Sequence, residues 1–340
     1  MAERFRFGTS SKGEQIDALR IYDTKGNSAV LIEYGAAVQS LVINSGSGPV
    51  DVVLGYDSVQ AYENGTCYYG ASVGRVANRI SNALITVDGT EYSLTPNENG
   101  NCHHGGALGT HDVKWEGSLD GETAVFRRFS PDGEEGFPGN MDIEVRYRLD
   151  NGALHICFRA VTDKPCPVNL TNHCYFNLAG AGTILGHDMM IDADSFTETG
   201  PGNIPTGRFI DVEGTPFDFR AMKPVGRDIG CDDPNLIAAR GYDHNYCLNG
   251  NGFREVAALE CRESGLGMRV ITDMPGMQVY TGNFITEEAG KDGTAYGRNT
   301  GIALETQFYP DSPNRLEFMD ITLRPGEVFS SETVYAFYCI

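Results

Sequence analysis

Hydrophobic and polar positions alternate along this chain in short runs, and turn residues separate the runs. From Asp142 to Leu149 every second residue is apolar (Ile143, Val145, Tyr147, Leu149), as a half-buried strand requires. Asp150-Asn151-Gly152 turns that strand, and Ala153 to Val161 carries it back. Ile85 to Val87 and Thr90 to Leu94 flank Asp88-Gly89, a pair that supplies the positive φ angles of a type I′ hairpin turn. Arg254 to Glu260 pairs with Met268 to Thr272 across Ser264 to Gly267, and Pro325-Gly326-Glu327 separates two further strand-like runs near the end.

No segment keeps a helical period for about twelve residues with capping signals at both ends. The 42 glycines and 15 prolines are spread throughout, which suits many tight turns. Neither a repeat of fixed period nor a shift in composition marks a boundary. The expectation is an all-β protein: one large β-sandwich domain over residues 1–340, with few short helices.

At 340 residues the chain is long enough to bury a substantial core. A formal net charge of −20 repels phosphate backbones and anionic membranes, so neither nucleic acid nor membrane is an expected partner. The first residues lack the apolar core of a secretory signal, and no apolar run reaches a membrane-spanning length. Nine cysteines, an odd number without Cys-x-x-Cys spacing, fit small buried hydrophobes in a reducing compartment. The expected location is the cytoplasm, and the triplets at Asn64 and Asn169 are read as chance matches to the glycosylation pattern.

Candidate chemistry gathers in five short blocks. Gly70 to Ile80 combines glycines, which allow close backbone approach, with Asn78 and Arg79, donors suited to sugar hydroxyls. It lacks the ending of a phosphate loop, and on its own a structural arginine explains it equally well. Asn101-Cys-His103-His104-Gly105-Gly106 puts histidine on a tight turn, facing a cleft or simply exposed. Val168 to Gly180 sets Asn172, His173, Tyr175 and Asn177 inside a strand pattern, and such buried polar density requires a hydrogen-bond network or a site. Gly241-Tyr-Asp243-His244-Asn-Tyr246 places an acid among aromatics. The last block joins Asp273 to Asn283, including Gln278, with Ile302 to Asp311, where Glu305 interrupts an apolar run. Burial raises a carboxyl pKa toward neutrality, which is what a general base at neutral pH needs.

Together and in this order, the blocks resemble the galactose mutarotase (aldose 1-epimerase) family: Gly-Arg-x-Ala-Asn-Arg-Ile, His-Gly-Gly, Asn-x-Thr-Asn-His-x-Tyr-Phe-Asn-Leu, Tyr-Asp-His, Pro-Gly-x-Gln-x-Tyr and Leu-Glu-Thr-Gln-x-x-Pro-Asp. Tyr34-Gly35-Ala36 with the strand after it resembles the family's opening sheet. The resemblance implies a galactose mutarotase-like supersandwich that interconverts the anomers of aldoses such as galactose and glucose, without cofactor or metal. It implies His173 as general acid and Glu305 as general base. His104 would lie near the sugar ring oxygen, and Asn78, Arg79, Asp243 and Gln278 would bind hydroxyls. Tyr175 and Asn177 would support the site. His103 departs from the family, which usually has an apolar residue there, so either histidine of the pair could face the sugar; the spacing to Gly105 favours His104.

Other readings stay in view. A non-catalytic carbohydrate-binding protein would use the same hydroxyl-binding residues without needing the acid–base pair. A glycoside hydrolase would employ Glu305 and Asp243 and leave the histidines idle. A hexose-6-phosphate 1-epimerase would need a basic cluster that the sequence does not show. His103, His104, His173 and Cys174 follow no established zinc spacing. His111, His155 and His187 are assigned to structure and Trp115 to packing. The assembly is left as monomer or homodimer.

Overall fold

A computed structural model describes residues 2–340. Three antiparallel sheets carry most of the chain. Residues 3–51 form a five-stranded meander, Glu3–Thr9, Gln15–Tyr22, Ser28–Ile32, Ala37–Ser45 and Gly48–Asp51, in sequence order. A nine-stranded sheet is centred on Met141–Asp150, Ala153–Thr162, Phe329–Cys339 and Leu266–Thr272. A six-stranded sheet runs in the order Tyr175–Phe176, Ile302–Gln307, Gly276–Tyr280, Asp243–Leu248, Ala193–Thr199, Pro205–Asp211.

The hairpins follow from the sequence pattern. Val87 pairs with Thr90 across Asp88 and Gly89, whose φ angles of 49° and 80° are those of the type I′ turn. Asp150 pairs with Ala153 across Asn151 and Gly152 (φ 53° and 84°), and Arg254 pairs with Thr272. Along Met141–Asp150, residues 141, 143, 145, 147 and 149 are buried while their neighbours are exposed or half-buried, so alternation decides which face meets the core. Only two α-helices occur among the described residues, Val59–Asn64 and Pro234–Ala239. The second starts because Asp233 accepts from the backbone N–H groups of Asn235 and Leu236, with Pro234 in the first turn.

The two large sheets share one apolar core. Ile143, Val145, Ile156 and Val270 from the nine-stranded sheet join Phe196, Tyr246, Met277 and Leu304 from the six-stranded sheet in a single buried cluster. Tyr335 crosses between them and donates from its hydroxyl to the Leu304 carbonyl at 2.8 Å. The central strand Ile302–Gln307 is buried at every position. Its even-numbered residues Ile302 and Leu304 face that core, which turns Ala303, Glu305 and Gln307 to the opposite face.

Within the first block the two arginines divide their work. Arg75, 3% exposed, donates to the carbonyls of Ser130, Pro131, Pro138 and Gly139 and to Ser130 Oγ, all at 2.8–3.0 Å. It ties the loop after Thr123–Ser130 to the segment that leads into the site. Arg75→Met is expected to lower unfolding stability by about 3–5 kcal/mol, because several buried acceptors lose their donor at once. A loss below about 1 kcal/mol in urea denaturation would show that water or neighbouring N–H groups satisfy those carbonyls.

Candidate active site

Short pairings join the five blocks. Arg79 and Ile80 pair with His103 and Cys102. Val73 and Ser72 pair with Thr171 and Asn172. Tyr175 pairs with Ala303, Glu305 with Gln278, and Tyr280 with Asp243. Residues distant in sequence thus stand on two two-residue pairings and on the strands of the six-stranded sheet. His173 is clamped at its centre: its N–H donates to the Ala71 carbonyl at 2.8 Å and its own carbonyl accepts from Gly70 N–H at 3.0 Å. Beneath it, the Tyr147 hydroxyl reaches from the nine-stranded sheet to Ser72 Oγ, the Ala36 carbonyl and the Asn172 amide.

This clamp brings His173 Nε2 to 3.4 Å from Glu305 Oε1. Both residues are buried, at 3% and 2% exposure. His173 Nδ1 and Glu305 Oε2 make no hydrogen bond. Burial pushes the His173 imidazolium down to about 3, and burial together with the Asp243 charge holds the Glu305 carboxyl well above its ordinary range, opposed by Arg79. Both directions have one cause: an ion pair in a dry pocket loses its solvation. Both shifts therefore act against the ion pair and toward the neutral pair.

The other expected residues surround this pair, with two exceptions, Gln278 and Asn177. His104 is buried, so the exposed-loop alternative does not hold. Its φ of 51° and the 86° at Gly105 form the turn, and a Cβ on Gly105 would lie 1.9 Å from the Gly74 carbonyl oxygen, so only glycine fits. Asn78 N–H donates to His104 Nδ1 at 3.2 Å, which assigns the neutral ring's proton to Nε2. His104 thus presents a donor to the cavity. His103 borders the cavity as well, its ring centroid 3.8 Å from that of His104, but His104 is the one that approaches His173 and Glu305. The Tyr175 ring lies tilted against His173, centroids 4.8 Å apart. Gln278, expected on a sugar hydroxyl, does not border the cavity: its Nε2 donates to Asp243 Oδ1 at 2.6 Å and braces that carboxylate. Asn177 is also outside, donating to the carbonyls of Gly182 and Thr300.

The cavity above these residues has a volume of about 800 Å³. Arg79, Asn78, Asp243, His104, Tyr175, His173 and Glu305 form its inner wall.

Comparison with known proteins shows the family. The sequence model of the family described as "Aldose 1-epimerase" matches residues 17–336. The galactose mutarotase of Bos taurus is 40% identical over 312 residues, 90% of each chain, and the aldose 1-epimerase of Escherichia coli (strain K12) is 37% identical over 96% of each. Among solved structures, an aldose epimerase homologue from C. elegans superposes with a TM-score of 0.89 at 32% identity, covering 95% of this chain and 99% of its own. A galactose 1-epimerase from Lactobacillus acidophilus NCFM gives 0.88 at 28% identity, covering 100% and 99%. The chain belongs to the aldose 1-epimerase family. It is an enzyme of the isomerase class, with the β-supersandwich fold of that family.

Several further residues border this cavity beyond the candidates of the sequence. Tyr68, Glu98, Asn203, Tyr280 and Phe284 border it from separate loops and strands. Tyr68 lies among His103, His104, His111 and His173, with ring centroids 4.7–5.9 Å away. Only Tyr280 sits in a recognised block, two residues after Gln278 and on the same face of its strand.

His104, His173 and Glu305 also offer donor atoms within 4.8 Å of one another, a spacing that invites a metal. The tautomer opposes it, because the His104 lone pair already accepts from Asn78 and the nitrogen facing the cavity carries a hydrogen.

The same electrostatics give a signed expectation. Asp243 is one of the groups that raise Glu305, so Asp243→Asn should move the titration of the buried Glu305 carboxyl to lower pH. Infrared titration of the carboxyl band, assigned with Glu305→Gln, measures this; an unmoved or upward midpoint would contradict the arrangement.

Proposed function

We propose that the enzyme interconverts the α and β anomers of free aldoses such as D-galactose and D-glucose, with Glu305 as base and His173 as acid. The observation that carries this reading is the His173–Glu305 pair, 3.4 Å apart, buried and bordering the cavity. Mutarotation needs two proton movements and no redox change. Glu305 as carboxylate takes the proton of the anomeric hydroxyl, while His173 as imidazolium protonates the ring oxygen. The C1–O5 bond breaks, its electron pair goes to O5, and C1 becomes an aldehyde. The protein is left with a protonated Glu305 and a neutral His173. After rotation about C1–C2, the reverse transfers close the opposite anomer and restore the starting protonation.

The electrostatics suit this cycle. Burial disfavours the ion pair that starts ring opening and favours the neutral pair that follows it. Ring opening therefore moves the pair toward the charge state that the pocket prefers. The His104 Nε2–H is in place to donate to a sugar oxygen, and Asn78, Arg79 and Asp243 border the space the hydroxyls would occupy. Gln278 would act through Asp243 by holding its orientation.

A single domain is supported by a core cluster that includes residues from Leu19 to Phe337. A cytoplasmic location is supported by nine free cysteines, and no helix among the described residues is long and apolar enough to cross a membrane.

The test is polarimetry on freshly dissolved α-galactose and α-glucose. His173→Asn and Glu305→Gln should each lower kcat roughly 10²–10⁴-fold while KM changes little, because each group acts mainly on the transition state. Turnover near that of wild type in either variant would remove that residue from the mechanism. Folded wild type that accelerates neither sugar would remove the reading itself.

A further inference from the structure

Glu98 is in none of the motifs, yet it borders the cavity and occupies its cation. Its Oε2 lies 2.5 Å from Arg79 Nε and its Oε1 accepts from Arg79 Nη2 at 2.9 Å, a two-bond grip on one edge of the guanidinium. The Arg79 side chain is 10% exposed and that of Glu98 31%, so water screens the pair only in part. Glu98 is also held rigidly. Its N–H donates to the Asn101 carbonyl at 3.2 Å and its carbonyl accepts from Asn101 N–H at 2.8 Å, closing a turn through Asn99 (φ 50°) and Gly100 (φ 84°). Next to it, Asn97 exchanges two hydrogen bonds with the backbone of His103.

The charge count of the cavity follows. Arg79 is the only Lys or Arg bordering it among the described residues, against the carboxyls of Glu98, Asp243 and Glu305. Burial also works against positive charge on the histidines, holding His103, His104 and His173 below their ordinary range. An incoming anion meets no cation free of a carboxylate partner, in a cavity whose carboxyl groups outnumber its one arginine.

We propose that Glu98 is a specificity-determining residue: by occupying Arg79 it keeps the cavity without a free positive charge, and so the enzyme discriminates against anionic sugars such as uronic acids and sugar phosphates. This rests on the proposed anomer interconversion at the same cavity. Neutral hydroxyls still bind, because Asn78, Asp243 and His104 need no charge on the ligand. The geometry also explains how a site with an arginine in it serves neutral aldoses.

The experiment compares D-galacturonate with its neutral methyl ester, a pair that differs at C6 essentially in charge, and includes galactose as the reference. Wild type should turn over galactose and the ester while disfavouring the acid. Glu98→Gln should raise the acid-to-ester ratio of kcat/KM roughly tenfold, the effect of one unit charge at a few ångströms in a partly screened pocket. The change should appear mainly in KM for the acid. Glu98→Ala is the second variant, and in wild type added salt should raise the same ratio. A ratio unchanged within about twofold in both variants overturns the proposal. If both variants lose all activity, the wild-type salt series decides: a flat ratio overturns the proposal and a rising one supports it. Wild type inactive on galactose and on the ester would instead reject anomer interconversion itself, a result distinct from a failed charge preference.

Discussion

The site depends on one local constraint: the segment Thr171–His173 is paired on one side with Gly70–Val73, while Tyr175–Phe176 pairs on the other side with Ile302–Ala303. Neither pairing is longer than a few residues. Between them the chain must pass through Cys174, and that passage fixes His173 against the central strand that carries Glu305. Short ladders of this kind have little stability alone, so they need the packed sheets behind them. Tyr147 supplies one such link, reaching from the nine-stranded sheet to Ser72 and Asn172. Tyr335 supplies another, reaching the backbone of Leu304 beside Glu305. The large core thus serves the site by holding two small pairings in register.

Burial gives the site its electrostatic character. A histidine and a carboxyl placed together in water would form an ion pair. Here the loss of solvation works against both charges and so favours the neutral pair. That preference suits a reaction in which taking one proton at the anomeric oxygen and giving another at the ring oxygen leaves the pair neutral. Around the pair, each polar group is oriented by a partner: His104 by Asn78, Asp243 by Gln278, Arg79 by Glu98. These contacts fix donors and acceptors before the sugar arrives, so little reorganisation is left for the reaction itself.

Much of this was legible in the sequence, for physical reasons. Hairpins with Asp-Gly or Asn-Gly turns state their register locally, and Asp88-Gly89 and Asn151-Gly152 behave as their chemistry demands. Polar residues inside apolar strands, such as His173 and Glu305, stand out because burial without purpose is costly. The remainder was set by tertiary contact. Gln278 has the residue type of a hydroxyl ligand, and only the register with Glu305 and Asn245 shows that its amide meets Asp243. Glu98 lies in an ordinary Asn-Glu-Asn-Gly turn, and Tyr68 in no pattern at all. Each reaches the cavity through a loop whose approach depends on the rest of the fold. The arginines of the first block were ambiguous for the same reason: Arg75 is consumed by backbone carbonyls, while Arg79 borders the cavity.

The central claim is that His173 and Glu305 work as one proton-exchanging unit. The most direct measurement is a double-mutant cycle, with anomer exchange followed by NMR in His173→Asn, Glu305→Gln and the combined variant. A single unit predicts that the double variant is about as slow as the slower single variant, because either change already disables the paired transfer. Rate losses that multiply would mean two independent contributions, and would contradict the account.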